Sequence, residues 1–319
     1  MKAAVVEAFD RAPRYAEFAD PVAGEGEALV RVSAAGLHPV VRALANGTHY
    51  GSAGILPFVP GVDAVGKLAD GRRVLFGGTR PPYGTLAELS ITQPWMCVPV
   101  PDGLDDVVAA ALANPGMSSK AALMRAGFVA GESVLILGAT GVAGQLAVQI
   151  ARRTGAKRIV AAGRNPKALA KLAGLGADTV ISLEQEQGAL VEAFRAAIAE
   201  AQVDVVLDYL WGRPAESLLQ AITQKGLSHA TRRIRYVQIG NSAGATIELP
   251  AETLRSSGLE LLGSGFGSAS LEEILKAVGE LFADAAKEPF ANSVKAVPLS
   301  DIDRAWGLKE DGARVVFVP

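Results

Sequence analysis

Cysteine is nearly absent from this chain: Cys97, in the stretch WMCVPVP, is the only one among 319 residues. One thiol makes no internal disulfide and cannot build a four-cysteine zinc site, and an unpaired thiol suits a reducing compartment. Histidine is scarce too, with three residues (His38, His49 and His229) in no recognisable metal-ligand spacing. No charge sign dominates, since 31 Lys and Arg face 33 Asp and Glu for a net charge of −2. That balance, with no basic aromatic patch, removes the electrostatic reason to expect nucleic acid or an anionic membrane surface as partner. No apolar run reaches the roughly 18 residues of a membrane-crossing helix. Glu7 and Asp10 interrupt the stretch that a secretory signal would keep apolar. The expectation is a soluble cytoplasmic globule.

Apolar residues are plentiful, at 50% against 20% charged, which supports a large buried core. The length suits two domains. Residues 1–113 read as β-rich: ALVRVSAAGL, GVDAVGKL, RRVLFGG and TLAELSIT are short strand candidates, punctuated by Gly and Pro as in PFVPGVD and TRPPYG. That spacing predicts a compact, antiparallel, barrel-like domain.

From Val107 the texture changes. DDVVAAALANPGMSSKAALMRA reads as a helix, a Pro-Gly break and a second helix. Apolar strands then alternate with helices: SVLILG, a helix over 142–154, KRIVAAG, the helix NPKALAKLAG with Asn165 as N-cap and Pro166 as first residue, DTVISL, a helix over 187–201, VDVVLDYL, AESLLQAIT, RIRYVQIG and LELLGSG. Such alternation predicts an α/β fold, a doubly wound parallel sheet of roughly six strands covered on both faces. The tail adds an amphipathic helix, LEEILKAVGELFADA, then SVKAVPL, a short helix at IDRAWGL, and ARVVFVP. These elements either extend the parallel sheet or return to the first domain. The expected division is 1–113 with about 268–319 as one, β-rich domain, and 114–267 as the parallel-sheet domain.

The sharpest motif is the turn after SVLIL. In Ala139-x-Gly141-x-x-Gly144 an alanine stands at the first position of the usual three-glycine dinucleotide fingerprint, with Gly138 just before it. Small residues permit the tight turn, Gly141 lets a pyrophosphate approach the main chain, and Gly144 lets helix and strand pack closely. The helix amino terminus, with Thr140, Val142 and Ala143 around it, offers unpaired N–H groups. An NAD site would want an acid about 20 residues on, to hold the ribose 2′-hydroxyl. None occurs between Gly144 and Asp178. Gly163, Arg164, Asn165 and Lys167 stand there instead, and Arg164 with Lys167 could pair with a 2′-phosphate, or be solvated surface charges. The cofactor expected is NADPH.

AAGLHPVVRALANGTHY and LPFVPGVDAVGKL, followed by GATGVAGQLAVQIA, resemble the medium-chain dehydrogenase/reductase superfamily, and most nearly its zinc-independent quinone oxidoreductase branch. The likeness runs to about Gly267 and weakens in the tail. It implies a Rossmann domain beside a β-rich GroES-like barrel, a homodimer, and hydride transfer from NADPH to a quinone. Zinc members carry a Cys where this chain has His38 and a His-Glu pair where it has Val62-Asp63, and they have a cysteine-rich lobe where FGGTRPPYGTLAEL passes without Cys. A lone His38 does not replace three ligands, so no metal is expected. The quinone branch usually has Asn-Pro-Val-Asp where this chain reads His38-Pro39-Val40-Val41, which alters the pocket. His38 is then a pocket donor or a core histidine, and Tyr50 a residue near the substrate or a packing aromatic.

The resemblance also places Ser118 near the nicotinamide and phosphates. Tyr209, Leu210, Ile239, Gly240 and Asn241, at strand carboxyl ends, would pass along the adenosine and nicotinamide riboside. Gly265 and Phe266 would follow, with Phe266 as a wall over the nicotinamide. A reductase of activated alkenes (enones or enals) is the alternative, and it would need a proton donor, Tyr50 or His38. A chain that binds NADPH without turnover is the remaining reading.

Overall fold

The computed structural model describes residues 1–52, 54–226, 232–265, 267–308 and 312–319. They form two compact units: Met1–Asn114 with Leu275–Pro319, and Pro115–Ile274.

The first unit opens with β1 (Lys2–Val5), β2 (Arg14–Glu17), β3 (Ala28–Gly36), α1 (Pro39–Ala45), β4 (Asp63–Leu68), β5 (Arg73–Gly77), β6 (Leu89–Thr92) and β7 (Val98–Pro99). In β3 the alternation of buried Val30 and Val32 with exposed Arg31 puts one face on the core, and continuous burial from Ala34 to Gly36 follows a register shift in its pairing with β4. That combination of a half-buried strand with a bulge bends a sheet. Helix α2 (Asp106–Arg125) runs on from this unit into the second.

The Pro-Gly break expected inside α2 does not occur, because the helix continues through Pro115. Proline removes one main-chain donor and crowds the preceding turn, at a cost of about 3 kcal/mol. Against that cost, Ala109–Ala113, Ala121, Ala122 and Leu123 are all buried, and the Pro115 carbonyl accepts from the Ser118 and Ser119 hydroxyls at 2.8 and 3.1 Å. Packing of the small-residue face outweighs the local penalty.

The second unit continues with β8 (Val134–Leu137), α3 (Val142–Arg153), β9 (Ile159–Gly163), α4 (Pro166–Leu172), β10 (Thr179–Ser182), α5 (Gln187–Ala201), β11 (Val205–Asp208), α6 (Gly212–Ile222), β12 (Arg233–Gln238), α7 (Ala251–Arg255) and β13 (Gly258–Gly263). All six strands pair in parallel in the order β10-β9-β8-β11-β12-β13. This is the Rossmann arrangement. Every residue of β8, β9 and β11 is buried, as strands covered on both faces require. Leu135, Leu137, Val160, Phe194, Leu218 and Tyr236 belong to one contiguous core.

The tail comprises α8 (Leu271–Lys287), β14 (Ser293–Pro298), α9 (Ile302–Ala305) and β15 (Ala313–Val318). β14 and β15 pair in parallel, and β15 pairs antiparallel with β3, so the tail joins the sheet of the first unit, in the order β14-β15-β3-β4-β5-β7 with β6 also on β3. Phe317, Ile302 and Leu299 pack with Val30, Phe76 and Leu86 in its core.

Candidate cofactor site

Two main-chain bonds set the glycine turn. The N–H groups of Gly138 and Ala139 both donate to the Ala162 carbonyl at 2.9 Å, tying the turn to the end of β9. Gly138 takes φ +90°, open to glycine at little cost. A Cβ on Gly144 would stand 2.2 Å from the Gly138 carbonyl oxygen and 2.5 Å from Ala139 Cα, so helix and strand meet here at glycine distance. Gly141 differs: a Cβ there meets nothing nearer than the Gly138 oxygen at 3.5 Å, and the residue is exposed. Gly141 is also the N-cap of α3, with no side-chain cap. The first N–H groups of this helix, at Val142, Ala143 and Gly144, therefore lack an intrahelical partner beside an open surface. Half-buried Thr140 packs its methyl where a Cβ on Gly163 would be, 2.4 Å away.

At the end of β9, Asn165 accepts from the N–H groups of Lys167 and Ala168 at 3.0 and 3.2 Å and caps α4, with Pro166 following as first residue. Arg164 and Lys167 are exposed, and neither side chain makes an ion pair among the described residues.

At the end of β11, Tyr209 and Leu210 are half-buried. The Tyr209 hydroxyl lies 2.7 Å from Ser119 Oγ, and burial pushes it up to about 12, the serine hydrogen bonds opposing that rise. At the end of β12, the N–H groups of Ile239 and Gly240 donate to the Asp208 carbonyl at 2.7 and 3.1 Å. Asn241 lines a cavity of about 390 Å³ together with Trp211, Gln238, Ala245, Leu261 and Gly263. Past β13, the Gly265 N–H donates to Ser268 Oγ at 2.7 Å. Phe266 lies outside the described residues, as does His229.

The turns carrying Thr140–Gly144, Gly163–Lys167, Tyr209–Leu210, Ile239–Asn241 and Gly265 thus follow the carboxyl ends of β8, β9, β11, β12 and β13, where an open parallel sheet takes its ligand. Ser118 sits on α2 with its hydroxyl donated to Pro115, and both it and its neighbour Ser119 hydrogen-bond the Tyr209 side chain. An uncapped helix amino terminus, an open Gly141 and exposed cations one strand away fit a phosphorylated dinucleotide. One residue of this site, Ser119, escaped the sequence reading, because it differs from its neighbour only in helix phase. Asp208 was legible as the end of the strand leading to Tyr209 and Leu210, but not as a buried carboxylate.

In the first unit, His38 has no exposed surface. Its Nε2 is 3.1 Å from Asp63 Oδ1, and its Nδ1 has no partner among the described residues. Gly36 makes room for the ring, since a Cβ there would come within 2.4 Å of Nε2. Tyr50 is 76% exposed, with its ring centroid 4.1 Å from that of His49. The His49 Nδ1 accepts from the Gly51 N–H at 3.0 Å, and burial holds this imidazole below its ordinary value. Among the described residues, no group of three or more His, Cys, Asp or Glu could hold a metal ion.

A family model described as zinc-binding dehydrogenase matches residues 142–283. A probable NADPH-dependent quinone reductase of Emericella nidulans is 29% identical, over 96% of both chains. Human quinone oxidoreductase is 28% identical, over 81% of this chain and 77% of its own. Among solved structures, the quinone oxidoreductase of Thermus thermophilus, also determined with NADPH, superposes with a TM-score of 0.80 at 29% identity over the full length of both chains. These likenesses support a place for the chain in the medium-chain dehydrogenase/reductase superfamily, in its quinone oxidoreductase-like branch.

Proposed function

We propose that this protein is an NADPH-dependent, zinc-independent oxidoreductase that reduces a quinone. The observation that carries the cofactor half is exposed Arg164, at the end of β9, with Lys167 nearby and no acid between Gly144 and Asp178. The N–H groups of Val142, Ala143 and Gly144 would hold the pyrophosphate, and Arg164 would take the 2′-phosphate bidentately. Asn165 would offer its amide group, its oxygen being committed to the α4 cap. Tyr209, Leu210, Ile239, Gly240, Asn241 and Gly265 would flank the nucleosides, with Ser118 and Phe266 toward the nicotinamide. When bound, NADPH supplies the hydride.

The two oxygens of a reduced quinone can take protons from water, so the chain needs to bind and orient the acceptor rather than protonate it. Reduction of an enone or enal is the second reading, favoured by the exposed Tyr50 with its hydroxyl. His38, buried on Asp63, is the other candidate donor. We assign the chain to the cytoplasm on its lone thiol. We assign it to a homodimer on the edge strand β13, which exposes Leu261 at the outer end of the parallel sheet.

The test compares NADPH and NADH as electron donors to a quinone, for the wild type and Arg164→Ala. A guanidinium–phosphate contact is worth roughly 1.5–3 kcal/mol, so the variant should weaken NADPH on the order of 10- to 100-fold and leave NADH nearly unchanged. Equal losses for both cofactors would remove Arg164 from the site.

A further inference from the structure

Asp208 lies where the parallel sheet reverses its strand order. The chain builds outward from β8 through β9 to β10 on one side, and from β11 through β12 to β13 on the other. The boundary of β8 and β11 is therefore the switch point at which such sheets bind ligands. Asp208 ends β11, level with Leu137 of β8 and Gln238 of β12. A carboxylate with no exposed surface needs its full set of hydrogen bonds. Its Oδ1 accepts from the N–H groups of Leu210 and Trp211 at 2.7 and 3.0 Å, and its Oδ2 from the Tyr236 hydroxyl at 2.8 Å.

Those bonds fold residues 209–211 into a turn that ends under strain. Trp211 has φ +56° and ψ −160°, a conformation costing a bulky residue about 1–3 kcal/mol that persists only where the surroundings impose it. Further contacts fix the same turn. The Tyr209 N–H donates to the Leu137 carbonyl at 3.1 Å, and the Leu210 carbonyl accepts from the Ala243 N–H at 2.8 Å. A Cβ on Gly138 would meet Leu210 Cδ2 at 3.1 Å and Tyr209 Cβ at 3.2 Å, so the turn lies directly against the glycine turn.

We propose that Asp208 is a positioning residue for the dinucleotide: its buried carboxylate holds the Tyr209–Trp211 turn against the glycine turn before the cofactor arrives. The inference rests on the NADPH reading of this site. Asp208 acts only through Tyr209 and Leu210, and it contributes by removing an ordering cost from binding.

NADPH titration and thermal unfolding of the wild type, Asp208→Ala, Asp208→Asn and Tyr236→Phe test it, with hydrogen exchange at the Leu210 and Trp211 amides. Asp208→Ala frees both N–H groups and should raise the NADPH Kd about tenfold or more, the scale of one or two lost ordering contributions. Asp208→Asn keeps an acceptor at Oδ1 and should restore the Kd to within about threefold of wild type, because that oxygen still takes both amide hydrogens. Tyr236→Phe strips only Oδ2 and should lower the melting temperature with a similarly small change in Kd, the loss of one buried hydrogen bond. The two amides should already exchange slowly without NADPH.

A Kd that follows melting temperature across all variants would reduce Asp208 to a structural role and overturn the proposal. So would amides that exchange freely until NADPH binds, a result that holds even if Asp208→Ala does not fold. Wild-type protein with protected amides that does not bind NADPH would instead overturn the cofactor reading, and the positioning role with it.

Discussion

Alanine at Gly144 and alanine at Gly141 should have opposite consequences, although the two glycines are three residues apart in one motif. At Gly144 the new methyl meets main chain on two sides, the Gly138 oxygen at 2.2 Å and Ala139 Cα at 2.5 Å. Overpacking of this kind costs about 1–3 kcal/mol, and main-chain neighbours cannot rotate away, which places the cost near the top of that range. The better helix propensity of alanine returns up to ~1 kcal/mol. The net loss of roughly 2 kcal/mol should lower the melting temperature by about 4–8 °C for a unit of this size.

At Gly141 the backbone has φ −77° and the nearest atom would be 3.5 Å away, ordinary contact. Only the N-cap preference for glycine is lost, up to about 1 kcal/mol. The methyl instead occupies the open surface assigned to the pyrophosphate, so the NADPH Kd should rise about tenfold or more, ~1.4 kcal/mol. Differential scanning calorimetry and an NADPH fluorescence titration on both variants read the two effects separately. Unchanged NADPH affinity in Gly141→Ala, with the wild-type melting temperature in Gly144→Ala, would refute the division of labour between the two glycines.

Three other outcomes are expected. Burial raises the Asp208 carboxyl above its ordinary 3.8, opposed by the bonds from Trp211, Leu210 and Tyr236. A group raised in the folded state stabilises it when protonated and loses that contribution as pH climbs through the folded value. Urea unfolding should therefore show wild-type stability falling relative to Asp208→Asn as pH rises from about 3.8, and a difference that grows the other way would contradict the shift. Tyr50→Phe and His38→Ala should change KM for a quinone more than kcat, whereas a kcat loss of about 10²–10⁴-fold with an enone, in folded protein that still binds NADPH, would favour the alkene reading. Exhaustive chelation should leave activity intact; activity lost to chelator and restored by zinc would reverse the metal assignment.

The second unit was readable because its signals are local. Short, wholly apolar strands alternate with amphipathic helices, and α5 occupies the span Gln187–Ala201 that its pattern indicated. Asn165 caps α4 because capping depends on residues only two and three positions ahead. Features that depend on distant parts of the chain were not readable in this way. The pairing of β15 with β3 joins Val316 to Gly36 across the length of the chain. His38 meets Asp63 only because Gly36 leaves room for its ring. Pro115 shows the local rule overridden by packing, since the burial of the α2 alanines outweighs one missing hydrogen bond. Asp208 is the converse case: one aspartate in LDYLWG gives no sign that its carboxylate is buried and triply bonded.

The most direct test is a single-turnover reaction. Enzyme preloaded with NADPH is mixed anaerobically with a quinone, and cofactor absorbance and hydroquinone are followed together, with the 4-deuterated cofactor run in parallel. Direct hydride transfer predicts one hydroquinone per NADPH oxidised and a slower reaction from the deuterated cofactor. Bound NADPH that survives every quinone and enone offered would contradict an oxidoreductase and leave a cofactor-binding protein without turnover.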